Sequence, residues 1–155
     1  MVKRLARYWG ADEDFLIRAA LLHDLGYAFG GDGLGHARIS GRYAGIAGCD
    51  RITIRAINLH TLGGPNMSLE EKLLFLADGI EEGRHFPGVE EIRKLAFVNL
   101  DQALLAFLRG TKVYLVKQGK NAHKKSILME KEIKRRTCGR TDKTNRSLYD
   151  RKASQ

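Results

Sequence analysis

Cysteine is scarce: Cys49 and Cys138 are the two in 155 residues, and they make neither a close pair nor a zinc-type spacing. Neither a disulfide framework nor a zinc knuckle is indicated, and a reducing cytoplasm suits the composition. Long apolar runs are missing as well. The opening Met1-Val2-Lys3-Arg4-Leu5-Ala6-Arg7-Tyr8-Trp9 has no secretory h-region, and no uninterrupted apolar stretch approaches a membrane span, so a soluble protein is expected. Alternation at period two is absent over any strand-length segment, which leaves no sheet to build. The glycine-rich stretch Gly30-Gly31-Asp32-Gly33-Leu34-Gly35 is not followed by Gly-Lys-Ser/Thr, so it reads as a loop that turns the chain back and not as a phosphate cradle.

What is present is helical pattern and an uneven charge. A 43% hydrophobic content over this length predicts one compact domain with a real core. The net charge is +9, but through Gly119 there are 15 Lys and Arg against 14 Asp and Glu, whereas from Lys120 onward there are 12 against 4. The body is thus nearly neutral, and residues 1–127 are expected to form the domain. Residues 128–155 are expected to be a basic, partly disordered tail without a packed role. Such a tail can bind nucleic acid through counterion release, though nothing in the body asks for that partner.

Leu5, Tyr8 and Trp9 share one side of a helix over residues 2–9 that stops at Gly10. Asp12-Glu13-Asp14 opens a second at the positive end of its dipole, and Leu16, Ala19, Ala20, Leu22 and Leu25 give it a wide apolar face. A third helix, over His36 to Gly48, is rich in Gly and Ala and so is suited to close packing. Asp50 is a good N-cap for a fourth, whose Ile52, Ile54, Ala56, Ile57 and Leu59 spread round more than one side and predict a central position; Gly63-Gly64-Pro65 ends it. Ser68-Leu69-Glu70-Glu71 is a capping box for a fifth through Leu73, Leu76, Ala77 and Ile80. A sixth covers Val89 to Val98. A seventh starts near Asn99 or Asp101 and runs to about Gln118, with Ala103, Leu104, Phe107, Leu108, Val113, Tyr114 and Val116 expected in the core. The fold class expected is all-α, a single bundle of about six to seven helices.

Against this apolar background, His23-Asp24 places an imidazole and a carboxylate at the end of the second helix, where two hydratable groups need compensation for their dehydration. Taken alone, the dipeptide is also compatible with a helix end carrying one satisfied core histidine and one exposed acid. His36 follows the glycine loop, His60 ends the fourth helix, and Asp78 interrupts the buried face of the fifth, where a carboxylate needs a partner. Nitrogen and oxygen donors together suit a first-row transition ion better than calcium or magnesium, and Asp24 could bridge two such ions. Arg84 can grip phosphate oxygens bidentately or pair with Glu81 or Glu82. His85 reads as a loop histidine.

The His-Asp dyad, the separated histidines and the later helical Asp resemble the HD superfamily of metal-dependent phosphohydrolases. His60-Thr61-Leu62-Gly63, Asn66-Met67-Ser68, Glu71-Lys72, Leu76-Ala77-Asp78, Ile80-Glu81, Gly83-Arg84 and Phe86-Pro87-Gly88-Val89 are similar to the central block of its YqeK-type members, the symmetrical bis(5′-nucleosyl)-tetraphosphatases. The similarity spans roughly residues 2 to 127. It implies cleavage of diadenosine tetraphosphate to two ADP at a site of two divalent transition ions, usually iron, with Mn, Co, Ni and Zn also accepted by such ligands. Two cations about 3.5–4 Å apart can lower the pKa of a bridging water and stabilise charge on the leaving phosphate, so no side-chain nucleophile is needed. By the resemblance, His23, Asp24 and Asp78 serve one ion, and Asp24 bridges to a second held by His36 and His60. Asp24 and Arg84 are then catalytic, and His60, Thr61, Arg84, His123 and Ser126 face the substrate.

Two departures accompany it. The family draws a further ligating histidine from a helical segment that would lie ahead of Met1, so its first helix is expected to be truncated or absent and the first ion to bind more weakly. Tyr27 stands where many relatives have a phosphate-facing lysine. The alternative these leave is a degenerate domain that binds nucleotide or metal without turnover; the basic tail leaves another, a nucleic-acid accessory protein working through it.

Overall fold

A computed structural model describes the backbone of residues 1–152 and the side chains of residues 1–138. Among these residues there are eight α-helices: α1 (Val2–Trp9), α2 (Glu13–Leu22), α3 (His36–Ile46), α4 (Arg51–Leu59), α5 (Leu69–Gly79), α6 (Val89–Leu95), α7 (Leu100–Lys117) and α8 (Lys124–Lys152). A short 3₁₀ turn covers Leu25–Phe29, and there is no strand among the described residues. The all-α reading of the sequence is therefore right.

Local signals set most of the helix starts. Asp12, Asp50 and Asn99 each accept a hydrogen bond from the backbone N–H three residues on, and Ser68 with Glu71 forms the expected capping box. The apolar run Leu73-Leu74-Phe75-Leu76-Ala77 is buried on every side, so α5 is the central helix, with α1, α2, α4 and α7 around it. This corrects the expectation for α4, which turns Ile52 to solvent at 63% exposure while burying Ala56 and Ile57.

Three further differences trace to tertiary packing. The helical run of α2 stops at Leu22, not Leu25: His23 is its C-cap, and the chain tightens into the 3₁₀ turn after Asp24. Gly26 makes that turn feasible, because a Cβ there would sit 2.1 Å from the His36 carbonyl oxygen, and its N–H donates to Ser40 Oγ at 2.8 Å. The second half of α7 extends beyond the body, leaving Val113, Tyr114 and Val116 exposed where the sequence predicted core. Finally, the boundary expected at residue 127 falls inside α8. Met129 and Ile133, four residues apart on one face, are buried at 2% and 1% exposure, so the start of the expected tail is packed core; residues 153–155 lie outside the described ones.

Candidate metal centre

Four helices bring the predicted donors to one place. His23 and Asp24 come from the end of α2, His36 opens α3, His60 caps α4, and Asp78 lies in the last turn of α5. His36 and His60 are buried, while the Asp24 side chain is half exposed.

The main chain settles which nitrogen each histidine offers. His23 Nδ1 lies 2.6 Å from the Ala20 carbonyl, His36 Nδ1 3.1 Å from that of Asp32, and His60 Nδ1 2.7 Å from that of Ile57. A carbonyl oxygen only accepts, so each Nδ1 carries the proton and each neutral ring is left with a lone pair on Nε2. Those Nε2 atoms converge. His36 Nε2 and His60 Nε2 are 3.0 Å apart, and Asp24 Oδ1 is 3.3 Å from the first and 3.4 Å from the second. Two lone pairs facing each other at that distance repel unless a proton or a metal cation lies between them. Two nitrogens about 2.1 Å from one ion and at right angles to it would be about 3.0 Å apart, so the donor set fits a transition ion.

A second group adjoins the first. Donor atoms of His23, His60 and Asp78 lie within 4.8 Å of one another, as do those of Asp24, His36 and His60. The Asp24 oxygens diverge, Oδ2 lying 3.3 Å from His23 Nε2 while Oδ1 faces His36 and His60. The grouping differs in detail from the sequence expectation, since His60 belongs geometrically to both sets.

Charge in the site is tuned the same way. Burial disfavours the charged form of His23, but the Asp78 carboxylate 3.7 Å away, the hydrogen bond to the Ala20 carbonyl and the charge of Asp24 outweigh it, and its pKa is raised. His60 is lowered, chiefly by burial and also by neighbouring His23 and His36. Asp78 is lowered: burial pushes it up, but His23 and Arg84 together pull it down further. In effect a proton on His23 occupies territory that favours any positive charge.

Beside these donors is a cleft of about 290 Å³ whose polar lining includes His23, Asp24, Asp78, Glu81 and Arg84. Arg84 Nη2 donates to Asp78 Oδ1 at 3.0 Å, and Nε is 3.7 Å from Glu81, so the expected pairing with Glu81 is present alongside an anchor on Asp78. Thr61 Oγ1 is 3.2 Å from both His36 Nε2 and His60 Nε2. The two α8-side residues do not line the cleft: His123 is exposed, and Ser126 Oγ donates to the Leu62 carbonyl at 2.7 Å. His85 is exposed in its loop.

One participant, Arg93, escaped the sequence reading, and for Tyr27, noted there only as a departure, the contact was not foreseen. Tyr27 lies flat on His36, ring centroids 4.1 Å apart and planes 14° from parallel, which fixes one face of the imidazole. Arg93 ties down the loop that carries Arg84. An aromatic three residues after the dyad was a visible signal; a helix arginine whose targets are carbonyls was not.

The sequence profile described as the HD domain matches residues 1–83. A protein of Halalkalibacterium halodurans named bis(5′-nucleosyl)-tetraphosphatase, symmetrical, is 38% identical over 140 residues, covering 74% of this chain and 73% of that one. A Bacillus subtilis protein of the same name is 47% identical over 77 residues, half of this chain and 40% of its own. Among solved structures, a Clostridium acetobutylicum protein described as a predicted HD superfamily hydrolase involved in NAD metabolism is similar with a TM-score of 0.74 and 30% identity, over 87% of this chain and 84% of that one.

Proposed function

The chain belongs to the HD-domain family of metal-dependent phosphohydrolases, and on that premise we propose that it cleaves dinucleoside polyphosphates, symmetrically, with diadenosine tetraphosphate giving two ADP. A divalent metal is its cofactor; two ions, iron first among the candidates, are part of the proposal. The observation that carries the reading is the meeting of three Nε2 lone pairs and two carboxylates beside a cleft into which the Arg84 guanidinium faces.

In this reading Asp24, His36 and His60 would hold one ion and His23 with Asp78 the other. When bound, divalent ions supply Lewis acidity toward phosphoryl oxygens and an acidified water. The chain's own groups do the rest. Arg84, already anchored on Asp78, holds phosphate oxygens and offsets charge that develops on them. Thr61 presents a hydroxyl beside His36 and His60. His123, exposed just before α8, is free to meet a nucleotide, while Ser126 acts through the Leu62 turn. Relatives named as tetraphosphatases support the substrate, whose four linked phosphates suit a cleft combining cations with Arg84.

The direct test is ADP release from diadenosine tetraphosphate by iron-, manganese- or cobalt-loaded protein. Hydrolysis abolished by chelation and by Asp24→Ala is expected. Metal uptake without turnover of any dinucleoside polyphosphate would overturn the proposal.

A further inference from the structure

We propose that Arg93 is a positioning residue for the phosphate-binding step, acting through Arg84; the inference rests on the reading of Arg84 as a phosphate ligand. Arg93 stands on α6, outside the cleft, with its side chain 15% exposed. Its Nε donates to the Ile80 carbonyl at 2.9 Å, and its Nη2 donates to the carbonyls of Glu81 and of Arg84 itself, the latter at 2.9 Å. Nη1 pairs with Glu90. One planar guanidinium thus gathers three carbonyls spread over five residues, a task its fixed fork of donors suits and a single ammonium cannot match.

The placement of those carbonyls gives the contact its meaning. Ile80 is the C-cap of α5, two residues beyond Asp78, so its carbonyl sits at the negative end of the helix that supplies a metal donor. The loop that follows has no regular structure and includes Gly83 and Gly88; internally, the Arg84 N–H reaches the Glu81 carbonyl at 3.0 Å. From this loop the Arg84 side chain doubles back onto Asp78, donating from Nη2 to Oδ1 at 3.0 Å and from Nε to the Asp78 carbonyl at 3.3 Å. With Arg93 in place, the Arg84 backbone is fixed relative to α5, and its guanidinium emerges at the cleft already oriented. Without it, a glycine-bearing loop must be ordered each time a phosphate binds.

The measurement is a double-mutant cycle on the metal-loaded full chain: wild type, Arg93→Gln, Arg84→Ala and the double variant. Each is assayed for inorganic pyrophosphate affinity by calorimetry, KM and kcat for diadenosine tetraphosphate, metal content and thermal midpoint. Arg93→Gln is expected to weaken pyrophosphate binding and raise KM about tenfold with metal content unchanged, and to add less than twofold once Arg84 is already alanine. Arg93→Lys should recover part of the loss; it also carries the cycle if Arg93→Gln fails to fold. Fully additive effects, or unchanged pyrophosphate affinity in Arg93→Gln, overturn the inference. An Arg84→Ala protein that binds pyrophosphate as wild type does overturns the reading of Arg84 beneath it, a result separable from the first.

Discussion

A histidine whose Nδ1–H donates to a carbonyl has one nitrogen left to use, and His23, His36 and His60 all point that nitrogen toward the Asp24 carboxylate. Asp24 is therefore the residue whose loss should cost most. Asp24→Asn keeps the shape and removes the charge; since even outer partners of metal ligands are worth about 10–100-fold, turnover should fall by at least about 100-fold, with metal content reduced by elemental analysis. Tyr27 offers a subtler test at this scale. Tyr27→Phe preserves the ring stacked on His36 and should leave metal content intact, whereas Tyr27→Leu removes the stack and should lower it; equal metal content in both would deny the ring a part in holding His36. The five donors were legible in the sequence because each is a chemically distinctive residue breaking an apolar pattern. Their orienting partners were not, because Ala20, Asp32 and Ile57 act through carbonyls that every residue possesses. Arg93 was illegible for the same reason, its three targets being main-chain oxygens.

Helix starts were legible for the opposite reason: a cap is written within four residues. Ser68→Ala removes the hydroxyl that accepts from the Glu71 N–H and should cost about 1 kcal/mol in denaturant unfolding. Asp50 caps α4 through the Thr53 N–H, and its pKa is lowered chiefly by that backbone hydrogen bond. A carboxyl depressed in the folded state contributes stability that is present above its unfolded pKa and is lost as pH falls through the folded value. Asp50→Asn retains an acceptor without the charge, so its unfolding midpoint should depend less on pH below about pH 4 than that of the wild type. What sequence pattern could not show is how far each element stays in contact with the rest. The apolar residues of late α7 look like a core stripe yet meet solvent, while Met129 and Ile133, set among charges, are buried because α8 folds back on the body. There Met129 Sδ lies over Gly63, where a Cβ would approach it to 2.4 Å, and Glu132 accepts from the Asn66 N–H at 2.6 Å, bracing the loop after His60. Met129→Ala should accordingly destabilise by about 2–5 kcal/mol, far more than a residue on an unpacked tail could.

At the scale of the molecule, the donors join α2, α3, α4 and α5 at a point where the protein supplies two acidic side chains and three nitrogens, with Arg84 at their edge. Folding therefore assembles a cluster of donors that favours positive charge, and the unfolded chain has no comparable arrangement. An ion that binds the folded form alone stabilises it by about 2.7 kcal/mol at a hundredfold excess over its dissociation constant. For a chain of this length that corresponds to an unfolding midpoint about 5–10 °C higher. The sign with pH follows from His23. Its raised value means that its own contribution to the metal-free fold is full below the ordinary histidine range and is lost as pH rises through the folded pKa. Ion binding requires that ring neutral, so the metal increment runs the other way, small at about pH 6 and larger at about pH 8. Thermal unfolding of chelated and manganese-loaded protein at those two values measures both trends together, and Asp24→Ala should abolish the increment at each. A midpoint indifferent to chelation at the higher pH would mean that the convergence of His23, Asp24, His36, His60 and Asp78 is held by packing of the four helices alone, with no ion contributing to the fold.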